Sequence, residues 1–208
     1  RWQLWARGAF NGVVLWKRDI PRWNTRHYPL KSGPAHLLRR LVAVGDRVYV
    51  TLGIDAPMTA LDAATGETIT TYADGEFTKE ILFSNGTVLA TVGVEPSKLP
   101  SWRRVSTYTW DNTQTANPGW GWDGTLRKVL AYNAKTGTSL WRKDAPVAPC
   151  SLAAAQGKVV YHDGEKLVCA DQKTGETLWE SESAPVKLPV QTNTGPRTMI
   201  YGSVVLFA

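Results

Sequence analysis

Aromatic rings set among cations are the first chemistry this sequence offers. Residues 21–34 interleave Arg22, Arg26 and Lys31 with Trp23, His27 and Tyr28. That pattern can hold an anion through charge-assisted hydrogen bonds, or a sugar by stacking. A second segment, residues 93–126, carries Trp102, Tyr108, Trp110, Trp120 and Trp122. Trp120 and Trp122 flank a single glycine, so on an extended backbone both rings leave the same side, as in a platform for a sugar or peptide. The competing role in each segment is packing: aromatics laid on a rim in the first, a private hydrophobic cluster in the second. Arg22, Trp23, Trp102, Tyr108, Trp110, Trp120 and Trp122 are therefore the candidate ligand-contacting residues.

No other pattern reaches a catalytic or metal-binding constellation. His27, His36 and His162 fall far apart, without the i, i+4 spacing of a zinc helix. Asp111-Asn112-Thr113 does not continue into a calcium loop, and there is no G-x-S-x-G nucleophile turn. Cys150 and Cys169 have neither metal-ligand nor redox spacing. On the strand reading below they lie on non-adjacent strands, out of disulfide reach, and are expected to be unpaired small hydrophobes.

Charge narrows the partner classes. The net charge of +6 is matched by one segment alone, where Lys17, Arg18, Arg22, Arg26, Lys31, Arg39 and Arg40 face only Asp19. A protein that coats nucleic acid spreads its cations over a face, so nucleic acid is not an expected partner. No apolar run is long enough to span a membrane.

The frame that must position these segments is repetitive. One pattern, small–x–Asp/Asn–x–x–Thr–Gly–x–x–Leu–Trp, occurs in four copies, at residues 6–16, 60–70, 131–141 and 169–179. Its glycines, Gly12, Gly66, Gly137 and Gly175, are separated by 54, 71 and 38 residues. Thr-Gly between apolar segments is a hairpin signal, and the Asp or Asn ahead of it can close an Asx turn. The copies end in Trp16, Thr70, Trp141 and Trp179. An indole there can dock a neighbouring repeat, so Gly12, Trp16, Gly66, Gly137, Trp141, Gly175 and Trp179 are the candidate blade-docking residues. Thr70 predicts a contact that is weak or replaced.

Hairpins of almost uninterrupted apolar residues precede the second, third and fourth copies, and another follows the last. Burial on both faces explains them. Residues 151–181 read as a four-stranded meander with turn chemistry at every connection, and repeated meanders are the mark of a propeller. The predicted fold is all-β: a β-propeller of four-stranded antiparallel blades, three whole and two half. The blades fall at residues 1–20 (partial), 41–72, 80–142 with insertion 93–126, 150–181 and 198–208 (partial). The two halves could pair into a four-bladed ring; an arc of a larger, seven- or eight-bladed propeller is the expectation.

The A-x-D-x-x-T-G-x-x-L-W pattern resembles the repeat of the PQQ-like propeller superfamily, which includes quinoprotein alcohol dehydrogenases and the propeller lipoprotein of the outer-membrane assembly machine. Asn11 to Arg18 and Ala60 to Glu67 look most like large bacterial PQQ-binding-like repeat proteins. The resemblance implies tryptophans that dock neighbouring blades and a periplasmic or otherwise exported location. Quinoprotein dehydrogenases place a vicinal Cys-Cys disulfide over the cofactor and hold Ca²⁺ partly through Glu and Asn; this chain has no Cys-Cys. The expected function is a non-catalytic binding or scaffolding propeller, without a cofactor, that contacts protein or glycan through its insertions. The alternative is part of a PQQ-dependent oxidoreductase, using PQQ and Ca²⁺, whose cofactor residues lie outside this sequence.

Overall fold

Strands account for nearly all the regular structure in the computed structural model, which describes residues 2–21, 39–96, 121–188, 190–191 and 196–208. A hairpin of β1 (Trp2–Arg7) and β2 (Val14–Ile20) comes first. The first complete sheet follows: β3 (Leu41–Val44), β4 (Arg47–Thr51), β5 (Met58–Asp62) and β6 (Thr68–Thr71), paired in that order. A second contains β7 (Thr78–Ser84), β8 (Thr87–Val92), β10 (Arg127–Asn133) and β11 (Ser139–Ala145). The third is β12 (Ala153–Ala155), β13 (Lys158–His162), β14 (Leu167–Asp171) and β15 (Thr177–Glu180), and a hairpin of β17 (Thr198–Tyr201) and β18 (Val204–Phe207) ends the chain. Two short strands, β9 (Gly121–Trp122) and β16 (Val190–Gln191), pair with each other outside the blades. Every pairing is antiparallel, so three four-stranded blades stand between two half blades.

The apolar central strands are sandwiched between blades. In the second complete blade, Val88, Ala90, Leu130 and Tyr132 pack with Tyr49, Met58 and Ala60 of the blade before. The intervening residues Leu89, Val129 and Ala131 pack with Leu152, Val159 and Tyr161 of the blade after. Residues on alternate faces thus enter two different cores, which is why these strands show no polar alternation.

The second, third and fourth copies of the turn are closed by the same hydrogen bonds, whereas the first has Gly8 in the Asp/Asn position. Asp62 Oδ1 accepts from the Ala64 and Thr65 amides at 2.9 and 2.8 Å, Asn133 Oδ1 from Lys135 and Thr136 at 2.9 and 3.0 Å, and Asp171 Oδ1 from Lys173 and Thr174 at 2.8 and 2.9 Å. These amides hold the Asp62 and Asp171 carboxyls below the usual range. The third strand of every blade shifts register at this point, between Ala60 and Leu61 in the first complete one.

The turn is also where one blade meets the next. Trp16 lies flat against Gly66, where an added Cβ would stand 2.5 Å from Trp16 Cδ2, and its Nε1 donates to Ala63 O at 2.9 Å. Trp141 repeats this on Gly175, with 2.7 Å to Cδ2 and 2.8 Å from Nε1 to Gln172 O. Arg18 adds a bond to Gly66 O at 2.6 Å, and Lys143 one to Thr177 Oγ1 at 2.5 Å. At the interface without a tryptophan, a Cβ added at Gly137 would lie 3.6 Å from Thr70 Cγ2 and 3.9 Å from the Tyr72 ring. Tyr72 also packs on Tyr132, ring centroids 4.5 Å apart. The carbonyl equivalent to Ala63 O and Gln172 O is Ala134 O, which accepts from Tyr49 Oη and from Arg47 Nη1, both at 2.9 Å. Two tyrosines and an arginine therefore replace the missing indole.

Candidate functional site

All the long connections meet the blades at one end. The register Thr78↔Val92↔Lys128 puts the start of β7, the end of β8 and the start of β10 side by side. The chain leaves this end after Val92 and returns to it at Arg127. Residues 39–40 reach it through the bond from Ile81 N to Arg39 O, 2.6 Å. The bond from Arg40 Nε to Lys79 O, 3.3 Å, ties them there as well.

Of the candidate ligand-contacting residues, Arg22, Trp23, Trp102, Tyr108, Trp110 and Trp120 lie outside the described residues. Trp122 is described, and it is 2% exposed. Its ring packs with Ala148 and Val186, and its Nε1 donates to Thr125 O at 2.8 Å. A Cβ at Gly164 would lie 3.3 Å from Cη2. The backbone of β9 pairs with β16, so Trp122 anchors the returning end of the insertion to the framework. His162 is buried as well: Nδ1 accepts from Gly164 N at 3.0 Å, Nε2 lies 2.9 Å from Ala184 O, and the ring stacks on Phe207. Cys150 and Cys169 are buried and form no disulfide; burial raises both thiols.

The same end holds charges that strand periodicity did not single out. Arg39 Nη1 is 2.9 Å from Glu80 Oε1 and donates to Leu152 O at 2.6 Å. Glu80 is buried, and its carboxyl is held up by burial despite Arg39. Arg40 donates from Nη1 to Ile54 O at 2.7 Å, and burial lowers it to about 10. Arg127 lies beside the Trp122 ring, 5.8 Å from its centroid, and is likewise lowered to about 10 by burial. Lys79 is brought down to about 8, first by burial and then by Arg40. The available signal was the run Thr78-Lys79-Glu80 at the head of an otherwise apolar strand. Next to this cluster the inner strands of the blades border an open, mostly apolar pocket of about 350 Å³, lined by Arg39, Leu41, Ile81, Leu152, Thr198 and Ile200 among others.

The fold is that of β-propeller blades, and its repeated turns are similar to those of PQQ-like repeat proteins. The family model described as outer membrane protein assembly factor BamB matches residues 124–208. A europium-containing methanol dehydrogenase superposes with a TM-score of 0.53 at 12% identity, covering 95% of this chain and 41% of its own. The computationally designed Ika8 protein gives 0.52 at 16% identity, covering 81% and 42%. BamB from Moraxella catarrhalis gives 0.47 at 14% identity, covering 94% and 46%. The chain thus spans less than half the length of each of these structures. No curated protein matches it in sequence.

The PQQ and Ca²⁺ of the alternative reading find no matching donor set among the described residues. No three His, Cys, Asp or Glu side chains converge there as a metal site, and the buried carboxylate Glu80 is engaged by Arg39. No helix is long and apolar enough to cross a membrane.

Proposed function

We propose that this chain is part of a non-catalytic binding or scaffolding propeller, exported to the bacterial cell envelope, that contacts a protein or a glycan through its insertions. The observation that carries this reading is the common end at which residues 21–40, 93–126 and 181–197 join the blades. A rigid frame that gathers its long connections on one face is built to present them. The tryptophans of residues 102–120 and the cations of residues 22–31 supply stacking and charge for the contact. The match to the outer membrane assembly factor model supports an envelope role and a protein partner.

The competing reading is a PQQ-dependent oxidoreductase. The likeness to methanol dehydrogenase shows the fold alone, and fold does not carry chemistry with it. Titrating the chain with PQQ and Ca²⁺, alongside a panel of glycans and purified envelope proteins, separates the two. Saturable binding to a panel member, without quinone binding, is expected. Saturable quinone binding with no response from the panel would overturn the proposal.

A further inference from the structure

Two cations at the insertion end converge on one glycine. Lys79 sits at the register shift between Thr78 and Glu80, and its stem crosses Gly93, where an added Cβ would be 2.9 Å from Lys79 Cε. Lys128 pairs with Val92, so the next cross-strand position sets Arg127 opposite Gly93. Directly opposed residues in an antiparallel pair share a face, and Arg127 therefore projects on the side that Lys79 covers. Arg40 stands behind, fixed to Ile54 O and Lys79 O. Among the described residues, neither the Arg127 guanidinium nor the Lys79 ammonium has a hydrogen-bond or ion-pair partner, although both are largely withdrawn from water. Arg127 alone brings five donors in a planar fork. Glu80 lies near Arg127, and Asp55 and Glu95 lie near Lys79. Yet among the described residues no carboxylate closes a hydrogen bond with either cation, and sheltered donors left open are costly unless an anion joins them.

We propose that Arg127 and Lys79 together bind an oxyanion, a carboxylate or phosphate group of the ligand taken at this end of the propeller. The Arg127 fork donates to two of its oxygens, and the Lys79 ammonium neutralises the charge across Gly93. This rests on the insertion end being the contact face, but it requires only framework residues. Lys79 titrates near 8 among Arg40, Arg127, Asp55 and Glu95. Its ammonium is present below that pH and lost above it, so affinity for succinate, which stays fully ionised over this range, should fall as pH rises from 7 to 9.

The test is calorimetric titration of the whole 208-residue chain with inorganic phosphate and, separately, with succinate. Saturable binding of at least one is expected, and the preferred anion identifies the source of the group. Arg127→Gln and Lys79→Gln should each weaken it by about tenfold or more, the scale of a lost charged hydrogen bond. Lys173→Gln, at an exposed turn, should leave it within about twofold, as for an exposed surface charge. If Arg127→Gln does not fold, the pH dependence of the parent and the shift of the Arg127 Nε–H resonance on titration decide the matter. No saturable binding to the folded parent, equal loss in the Lys173 variant, or, where succinate binds, succinate affinity unchanged from pH 7 to 9 would each overturn the proposal. Anion binding without any glycan or protein ligand would keep this site and reject the wider contact reading.

Discussion

The indole of Trp141 lies on Gly175, one blade further round. A Cβ at Gly175 would stand 2.7 Å from Trp141 Cδ2, and the same indole donates to Gln172 O at 2.8 Å. Gly175 has a φ of 75°, so the turn and the contact impose the same residue. Trp16 and Gly66 repeat the relationship.

Removing the ring should open a cavity between two blades. Trp141→Ala is expected to cost ~3–5 kcal/mol, in the range of large buried aromatics. Trp179 is 38% exposed with no described glycine beneath it. Trp179→Ala in this chain should therefore cost no more than about half as much, since less area leaves water on folding. Urea denaturation of both variants measures the difference, and equal losses would show that the glycine contact contributes nothing.

Adding a methyl group on the other side should be comparably harmful. Gly175→Ala combines a left-handed backbone with a clash against Trp141 and should cost about 2–4 kcal/mol. Gly157 has a similar φ of 74° but open space around it. Gly157→Ala should cost only about 1 kcal/mol, the backbone penalty alone. Thermal melts of the pair isolate the steric part.

The two tyrosines that replace the indole should respond in opposite ways to loss of their hydroxyls. Tyr49 Oη donates to Ala134 O, and Tyr49→Phe should cost about 1–2 kcal/mol, because a buried carbonyl loses a partner. Tyr72 Oη is buried without a partner among the described residues. Tyr72→Phe should be neutral or stabilising. Denaturation midpoints of both variants check this, and a large loss at Tyr72 would mean that its hydroxyl is satisfied in solution.

Acid should loosen the Asx turns. The Asp62 and Asp171 carboxyls lie below their ordinary range because they accept backbone amides. A depressed carboxyl adds stability above its unfolded pKa and loses it as pH falls through the folded value. Asn133 makes the same bonds without a titrating proton. Asp171→Asn should therefore match the parent at pH 7 and fall less steeply between pH 5 and 3, whereas Asp171→Ala should be less stable at every pH. Melting temperature against pH reads all three.

The repeat made most of the fold legible. Aligned turns gave the blades, and doubly apolar strands gave the sandwiched centre, because both follow from local chemistry. Thr70 foretold a weak or replaced contact, but not which residues replace it. Tyr49 comes from another strand of the blade, and no spacing within the motif points to it. Trp122 looked like half of an exposed platform with Trp120, because period-2 reasoning fixes which side a ring leaves and not what waits there. Pairing with Val190 and Gln191, distant in sequence, turned that side into core. Lys79 and Arg127 were illegible for a similar reason: they meet at Gly93 only through a register shift and a cross-strand neighbour.

The central claim is that the framework and the contact surface are separable, and replacing residues 97–119 with a short Gly-Ser loop tests it most directly. Residues 121–126 stay, since Trp122 is packed against Ala148, Val186 and Gly164. Long loops add little to framework stability, so the melting temperature should change by less than about 2 °C, the lower end of the shift caused by 1 kcal/mol in a chain of this size. Affinity for the glycan or envelope protein that binds the parent should disappear. Unfolding of the shortened chain would make the tryptophans core, and undiminished binding by a folded one would place the contact elsewhere.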